Sequence, residues 1–435
     1  MTDSGTMVLA RISGIVRVMI VTTVIGSTML LLVVQWLFLL SLGKRHMVGK
    51  MLGNGISDTA ERLGPIFVKM AQIASHRSDI LPEDLLLPLR RIQDHVRPEP
   101  FRNSRRTLEL SFGTDIGQAF STLDPNPIAA GSVATVYRAC KHDGTDVAVK
   151  VVRNDVLRII AVDLRIIRWT VLAASRLSVL KGVPVAECYG EVQSLFLAQV
   201  DMRFEASNLE AMRADQFIRH HVNVPRPHLE LSSHDVLVMD FVANARNITD
   251  PRITEAAYRR SARSVLLVLY RMVFDQGFVH CDMHPGNILV ADDGQVSLVD
   301  GGFFAHLGDD DRSSFRDLFL GLAYGEPDRV SSGLIRSAMM VPNDIDRHAL
   351  NHDAAILVKA HHGKCAGTFL VSAFVLDLFK LQSRHRLYAR SSFVAAIWAF
   401  GTFEGLVRGR MPDLDFQDEA KPFMISEIIR GMRSR

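Results

Sequence analysis

At 435 residues, with 50 Lys and Arg against 47 Asp and Glu, the chain carries a formal charge of only +3. That balance, with no basic stripe interleaved with aromatic residues, gives no ground for a nucleic-acid partner. Four scattered cysteines (Cys140, Cys188, Cys281 and Cys365) form no C-x-x-C pair, which argues against a disulfide framework or a clustered zinc site and points to a reducing compartment.

From Val18 to Leu42 run 25 residues without a charge. As a helix they span roughly 37 Å at 1.5 Å per residue, more than the ~30 Å hydrocarbon core. A secretory signal has a shorter apolar region and a small-residue cleavage site, whereas this run ends in Gly43-Lys44-Arg45-His46. The expectation is a tail over 1–17 and a single-pass transmembrane anchor over 18–42. Arg11 and Arg17 precede the run while Lys44, Arg45 and Lys50 follow it, a weak bias toward a cytoplasmic carboxyl side.

Residues 43–120 read as a helical extension. In GPIFVKMAQIASHR, Ile66, Phe67, Met70, Ile73 and Ala74 recur with the spacing of one helix face, and Pro65 suits a first turn. SDILPEDLLLPLRRIQD follows, with Ser78 and Asp79 as capping candidates. Asp124-Pro-Asn-Pro127 is turn chemistry. AAGSVATVYRAC and KHDGTDVAVKVV then alternate as two strands joined at Asp143-Gly144. Helical periodicity returns over 154–212, and VLVMDFVANARNI is a short apolar strand entering a linker. Beyond Thr249 the pattern is mainly helical, broken by the strand-turn-strand NILVADDGQVSLVD. The sum is an α+β arrangement with two lobes, 121–242 and 243–435.

The strongest chemical signal is HCDMHPGNILV. In a phosphotransfer loop an Asp orients a hydroxyl proton and an Asn five residues on ligates metal; Asp282 and Asn287 have that spacing. The strand-turn-strand then delivers Asp300, a second metal-binding carboxylate. Cys281 inside this motif reads as a small buried side chain rather than a reactive thiol. VAVK places Lys150 at the end of a strand, where it can reach the α and β phosphates if an acidic partner holds it. Glu205 in MRFEASN is the best partner, with Asp201 expected one turn earlier on the same helix face. Upstream, PIAAGSVATVYRA offers a phosphate-covering turn through Ala129, Ala130, Gly131, Ser132 and Val136, with alanines where glycines usually let the backbone approach phosphate. Asp240 and Val242, where the short strand enters the linker, complete the expected nucleotide contacts.

These residues resemble the UbiB family of atypical kinase-like proteins (the AarF type), and the resemblance runs from about residue 56 to 428. LGPIFVKMAQIASHRSDILPEDLLLPLRRIQD is similar to its amino-terminal hallmark, PIAAGSVATVYRA to its alanine-rich loop, and QVDMRFEASNLEAM to its acidic helix. HCDMHPGNILV is similar to its catalytic loop and FEGLVRGRMPDLDFQDEAKPF to its carboxyl-terminal signature. The resemblance implies a two-lobed protein-kinase-like fold with a helical amino-terminal extension, and Lys150–Glu205 as the phosphate-positioning ion pair. It implies Asp282 as the catalytic aspartate, with Asn287 and Asp300 holding Mg²⁺. The family's K-x-G-Q motif falls on Lys69 and Gln72, a helix that covers the site against protein-sized substrates.

Four positions depart from the pattern: the K-x-G-Q glycine is Ala71, the E-x-D pair reads Gln199-Val200-Asp201, the third loop alanine is Gly131, and D-F-G is Asp300-Gly301-Gly302. Lys69 is then expected to rely on Asp201, and Phe303 is a candidate replacement for the packing Phe. The expected function is that of a membrane-anchored atypical kinase or ATPase binding Mg²⁺ and ATP (or ADP). The resemblance further implies support of isoprenoid quinone or related membrane-lipid biosynthesis. Expected partners are a membrane lipid or quinone intermediate, enzymes of quinone biosynthesis, and a second copy in the membrane. A small-molecule kinase would lack the Lys69/Gln72 helix and the anchor. A pseudokinase scaffold for membrane-bound biosynthetic enzymes is the rival from another class: Gln199 and the lost Phe favour it, while retention of Lys150, Glu205, Asp282, Asn287 and Asp300 counts against it.

Overall fold

The computed structural model describes residues 3–44, 47–75, 82–89, 99–113, 116–176, 185–364, 371–416 and 418–424. Ser78, Asp79, Cys365 and the side chains of Ile73, Ala74 and Cys188 lie outside the described residues. The chain has an α+β, kinase-like fold preceded by helices, and it divides into two compact units. One comprises residues 1–202 with 230–238, the other 203–229 with 239–435.

The first unit begins with α1 (Asp3–Ser41), α2 (Val48–Leu63), α3 (Pro65–Ala74), α4 (Glu83–Leu89) and α5 (Phe101–Phe112). In α1, Val16–Ser41 is long and apolar enough to cross a membrane, with a mean hydropathy of 2.1. Gly64, at φ +102°, ends α2, and Pro65 opens α3 at once, because proline has no N–H to lose in a first turn. The helix α3 is buried on two sides. Ile66 and Met70 join Val156, Leu164, Tyr189, Phe196 and Val200. Val68 and Ala71 meet Ala60, Leu86 and Leu89 instead.

A four-stranded sheet follows: β1 (Thr122–Ala130), β2 (Ala134–Cys140), β3 (Asp146–Val152) and β4 (Val236–Asp240), in that order. The β2–β3 hairpin turns at Asp143-Gly144 as its alternation predicts; Gly144 has φ +84° and Asp143 Oδ1 accepts the Thr145 N–H at 2.9 Å. The reading of Asp124-Pro-Asn-Pro127 as a turn is corrected, since these residues belong to β1. Two register shifts accommodate the prolines, and β1 is an edge strand, where a missing N–H costs no ladder bond. The Asx chemistry is still present, with Asp124 Oδ1 accepting the Asn126 N–H at 2.9 Å inside the bulge. Beneath the sheet, α5 supplies Leu108 to a core of Tyr137, Val147, Val149, Val151, Val236 and Val238. The helices α6 (Asn154–Ala174) and α7 (Val185–Val200) complete the unit. Phe196 is fully buried in their core while Leu197 is exposed.

The second unit takes nearly all of α8 (Met202–Ala214), then α9 (Gln216–His221), β5 (Ala245–Asn247), α10 (Glu255–Tyr270) and β6 (Phe278–His280). It continues through β7 (Ile288–Ala291), β8 (Val296–Leu298) and β9 (Phe304–His306). The helices α11 (Asp309–Tyr324), α12 (Pro327–Ser337), α13 (Arg347–His361), α14 (Val371–Arg384) and α15 (Ser391–Val407) follow. Thr254 caps α10, accepting the Ala257 N–H at 3.3 Å. A π-turn over Arg271–Gln276 then delivers the chain into β6 through Gly277. Gly277 has φ +68°, and a Cβ there would stand 2.6 Å from the Leu307 carbonyl oxygen, so glycine is required. The carboxyl-terminal signature closes onto α10: Tyr270 donates to the Phe416 carbonyl at 2.6 Å, Arg410 pairs with Glu255 at 2.8 Å, and the Arg410 guanidinium covers the Tyr258 ring at 3.8 Å.

Candidate functional site

In the second unit the HCDMHPGN segment and Asp300 converge through one buried histidine. The strand β6 pairs with β9 and carries His280 into the interior, where it is fully buried. Its Nδ1 accepts the Asp282 N–H at 3.1 Å and its Nε2 donates to the Asp300 carbonyl at 2.9 Å. Both ring nitrogens are thereby used by a neutral imidazole with its proton on Nε2. Burial pushes the His280 pKa below the ordinary histidine value, against the opposing pull of Asp300 and Asp282. His280 was not among the expected site residues. The signal was its place two residues before Asp282, at the end of a strand.

Asn287 closes the other side of the loop. Its Nδ2 donates to the Asp282 carbonyl at 2.9 Å, and its own carbonyl accepts the Val299 N–H at 3.1 Å, one residue before Asp300. With Nδ2 engaged, Oδ1 is the atom left for a cation. The 3₁₀ turn Pro285–Asn287 is capped by His284, whose Nδ1 accepts the Gly286 N–H at 2.9 Å. A Cβ on Gly286 would lie 2.5 Å from the His284 ring, so a side chain there would displace the imidazole from its cap. The His284 Nε2 stands 3.8 Å from Asp282 Oδ2. Cys281 is buried, and burial drives its thiol pKa far up, so it is an inert core side chain.

The replacement of Phe by Gly301 has a direct physical reason. Glu205, almost completely buried on α8, accepts the Gly301 N–H at Oε1 over 3.3 Å, and Asn208 one turn later donates to the Gly301 carbonyl at 2.8 Å. A Cβ at 301 would fall 2.9 Å from the Glu205 carbonyl oxygen and 3.0 Å from Leu209 Cγ. Backbone hydrogen bonds to α8 therefore hold this segment where an aromatic side chain was expected. Asp300 Oδ2 accepts the Gly302 N–H at 3.1 Å, and a methyl placed on Gly302 would be 3.5 Å from both Asp300 Oδ2 and Glu205 Oε2. Phe303 is buried next to it, its carbonyl accepting the Cys281 N–H at 2.9 Å.

Among the described residues no group of three or more His, Cys, Asp or Glu side chains gathers as a self-sufficient metal cage. One carboxylate and one amide oxygen suit Mg²⁺, which keeps waters and completes its shell with substrate phosphates. Asp300 and Asn287 would hold it, and it would neutralise phosphate charge.

In the first unit Lys150 lies on β3 directly opposite Val136 of β2. Ala129 and Ala130 end β1, Ser132 is buried in the turn, and the Gly131 N–H donates to the Ala134 carbonyl at 2.9 Å. Lys69 and Gln72 lie half-buried on α3. Ala71 turns its methyl into the apolar cluster with Ala60 and Leu86, a contact a glycine would leave empty. The expectation that Asp201 and Glu205 share one helix face is corrected. Asp201 stands at the break between α7 and α8, buried, with His234 Nε2 4.0 Å away. Aspartate is a capping residue, and it interrupts the helix here. Gln199 is buried at the end of α7, its Nε2 without a hydrogen-bond partner among the described residues. Asp240 ends β4 in the second unit and is held by His228 at 2.9 Å and by the Arg226 N–H at 3.3 Å; Val242 lies half-buried beyond it.

Residues 91–333 match the family described as the ABC1 atypical kinase-like domain, over more than half of the chain. The chain is 28% identical over 383 residues to a probable protein kinase UbiB of Cellvibrio japonicus, covering 86% of this chain and 68% of that one. It is 28% identical over 381 residues to a probable protein kinase UbiB of Marinobacter nauticus, covering 86% and 69%. Among solved structures it is similar to Rv3197 of Mycobacterium tuberculosis, determined in complex with erythromycin, with a TM-score of 0.49, 18% identity, and coverage of 79% of this chain and 91% of that one.

Proposed function

The chain belongs to the ABC1 atypical kinase-like family, and from that premise we propose that it is a membrane-attached atypical kinase or ATPase of the UbiB type using Mg²⁺ and ATP. The observation that carries the reading is the His280 junction, which ties the Asp282 backbone and the Asp300 backbone to one neutral imidazole. Such a link sets the acid-base carboxylate and the metal carboxylate in fixed relation, and positioning is most of what phosphoryl transfer asks of a protein. Asp282 orients the attacking water or hydroxyl, and Asn287 and Asp300 hold the metal. In this reading Lys150 and Glu205 serve the phosphates, and residues 129–132, Val136, Asp240 and Val242 serve the nucleotide. Lys69, Gln72 and Asp201 regulate access. The long apolar α1 attaches the enzyme to a membrane with the catalytic residues on the cytoplasmic side. There it supports isoprenoid quinone or related lipid biosynthesis, the role that the resemblance to the UbiB family implies.

Purified protein with membrane lipid is expected to bind ATP in the presence of Mg²⁺ and release phosphate. Asp300→Asn should lose Mg²⁺-dependent binding, while Asp282→Asn should retain binding and lose turnover by a factor of about 100 or more, as expected for removal of a proton-handling group. Neither binding nor turnover in the wild type would hand the function to a scaffold.

A further inference from the structure

Composition alone makes α1 a spanning helix, yet the chain on either side of its apolar stretch meets itself. Arg17 stands at the start of the stretch; its Nη2 donates to the Leu63 carbonyl at 2.6 Å, and its Nε and Nη2 grip Asp163 on α6 at 2.8 and 2.7 Å. Asp163 is completely buried, so this pair is an internal fastening. Between Arg17 and Leu63 the chain runs out along α1 and returns along α2. Thr59 donates to the Thr28 hydroxyl at 3.1 Å midway, Val21 and Leu32 are buried, and a Cβ on Gly55 would lie 2.7 Å from Leu32 Cδ2. The far side of α2 is occupied by α4, where a Cβ on Gly53 would lie 2.3 Å from the Leu85 carbonyl oxygen.

A helix that crosses a bilayer once puts its two flanks on opposite faces, ~30 Å apart. Here the residue at the start of the stretch bonds to Leu63, at the end of the helix that returns from its far end. The return helix cannot be a second crossing: its 16 residues reach only roughly 24 Å and include Lys50, Asp58, Glu61 and Arg62, which hydrocarbon rejects. The outer side of α1 nevertheless exposes a continuous apolar surface, with Met19, Leu30, Leu31, Val34, Leu37 and Phe38 each more than half exposed. A surface of that extent marks an interaction site. Lys44 and Lys50 lie exposed at the hairpin's tip, as contacts to anionic headgroups require.

We propose that α1 lies in the plane of the bilayer interface as the outer half of an α1–α2 hairpin. Its bare face sits in the acyl boundary and both of its ends remain on the side of the catalytic residues. The amphipathic object is then the hairpin rather than the single helix. This inference rests on the membrane attachment proposed above and replaces a crossing with a one-sided seat.

The test uses the full-length protein in its own membranes, with one epitope appended at each terminus. In sealed inverted vesicles, added protease is expected to remove both epitopes; an amino-terminal epitope protected while the other is digested overturns the proposal. The Thr28→Cys/Thr59→Cys variant, oxidised in those membranes, is expected to form an intramolecular disulfide in most molecules. Disulfide in fewer than one molecule in ten, or a cross-linked dimer in its place, overturns it. Mass spectrometry showing α1 cleaved from the mature chain does the same. Wild-type protein that fails to float with phosphatidylethanolamine–phosphatidylglycerol vesicles sinks the membrane reading itself. Flotation with the amino terminus on the far side sinks only the in-plane seat.

Discussion

Gly301 shows how one missing Cβ organises a site. The Glu205 carbonyl and Leu209 would stand 2.9 and 3.0 Å from an added methyl, and both belong to a helix whose backbone cannot yield. Gly301→Ala is therefore expected to cost about 1–3 kcal/mol in urea unfolding, the range for overpacking, and to lower phosphate release further by displacing Asp300. Gly302→Ala, whose nearest neighbours are 3.5 Å away, should leave stability nearly unchanged. Equal midpoints for the two variants would refute the packing account. His280 makes a second residue-level prediction. Its folded pKa is depressed by burial, while in the unfolded chain it titrates near the ordinary 6.5. As pH falls below about 6.5 the unfolded chain takes up a proton that folded His280 refuses, so stability falls with pH from there downward. Wild type should lose more stability between pH 7.5 and 5.5 than His280→Asn, read from urea midpoints at each pH. An identical loss would remove His280 from the pH response. Neither residue advertised its role. The D-G-G departure was visible in the sequence, but the approach of α8 that makes glycine necessary depends on a contact between residues almost a hundred positions apart.

At the scale of elements, legibility followed periodicity. The β2–β3 hairpin has period-two alternation on both sides of Asp143-Gly144, and it folds as read. The helix α3 showed one apolar face in the sequence but packs on two, because Val68 and Ala71 serve a second cluster. β1 was hidden by Pro125 and Pro127, which look like turn residues until an edge strand with bulges accommodates them. The α7–α8 break was hidden for the opposite reason: apolar and acidic spacing runs smoothly through Asp201, where one helix ends and the next begins. The alanine-rich turn yields a prediction at this scale. Gly131 lacks a positive φ and an added Cβ would make an ordinary 3.7 Å contact with the Ala134 carbonyl oxygen, so the turn does not need glycine for its own geometry. Gly131→Ala should leave unfolding unchanged while altering ATP or ADP affinity about threefold or more, a difference of at least roughly 0.6 kcal/mol that calorimetry resolves. Unaltered affinity for both nucleotides would mean that this turn does not approach phosphate.

For the molecule as a whole, sequence order and spacing picked out the residues proposed for phosphate and metal, and the structure adds groups that hold their backbone: His280, Asn208 and the carbonyl of Asn287. What spacing could not convey is which surfaces cover one another, and that is why α1 reads as a lone spanning helix when hydropathy is the only guide. The same distinction decides the last prediction. A ligand that binds only the folded state stabilises it by mass action, about 2.7 kcal/mol at a hundredfold excess over Kd. If Asn287 and Asp300 hold Mg²⁺ through the phosphates of ATP, neither magnesium nor nucleotide alone should supply that gain, because among the described residues no acidic or histidine cluster completes a metal shell. Thermal unfolding is expected to shift upward with Mg²⁺ and ATP together, and to return to the unliganded midpoint on adding EDTA. In Asp300→Asn the shift should disappear, and it is read against that variant's own unliganded midpoint, because the Asp300 carboxylate also holds the Gly302 N–H. A shift of equal size in that variant, or one that survives EDTA, would show that the nucleotide is held without the metal pair, and the assignment of Asp300 would fall.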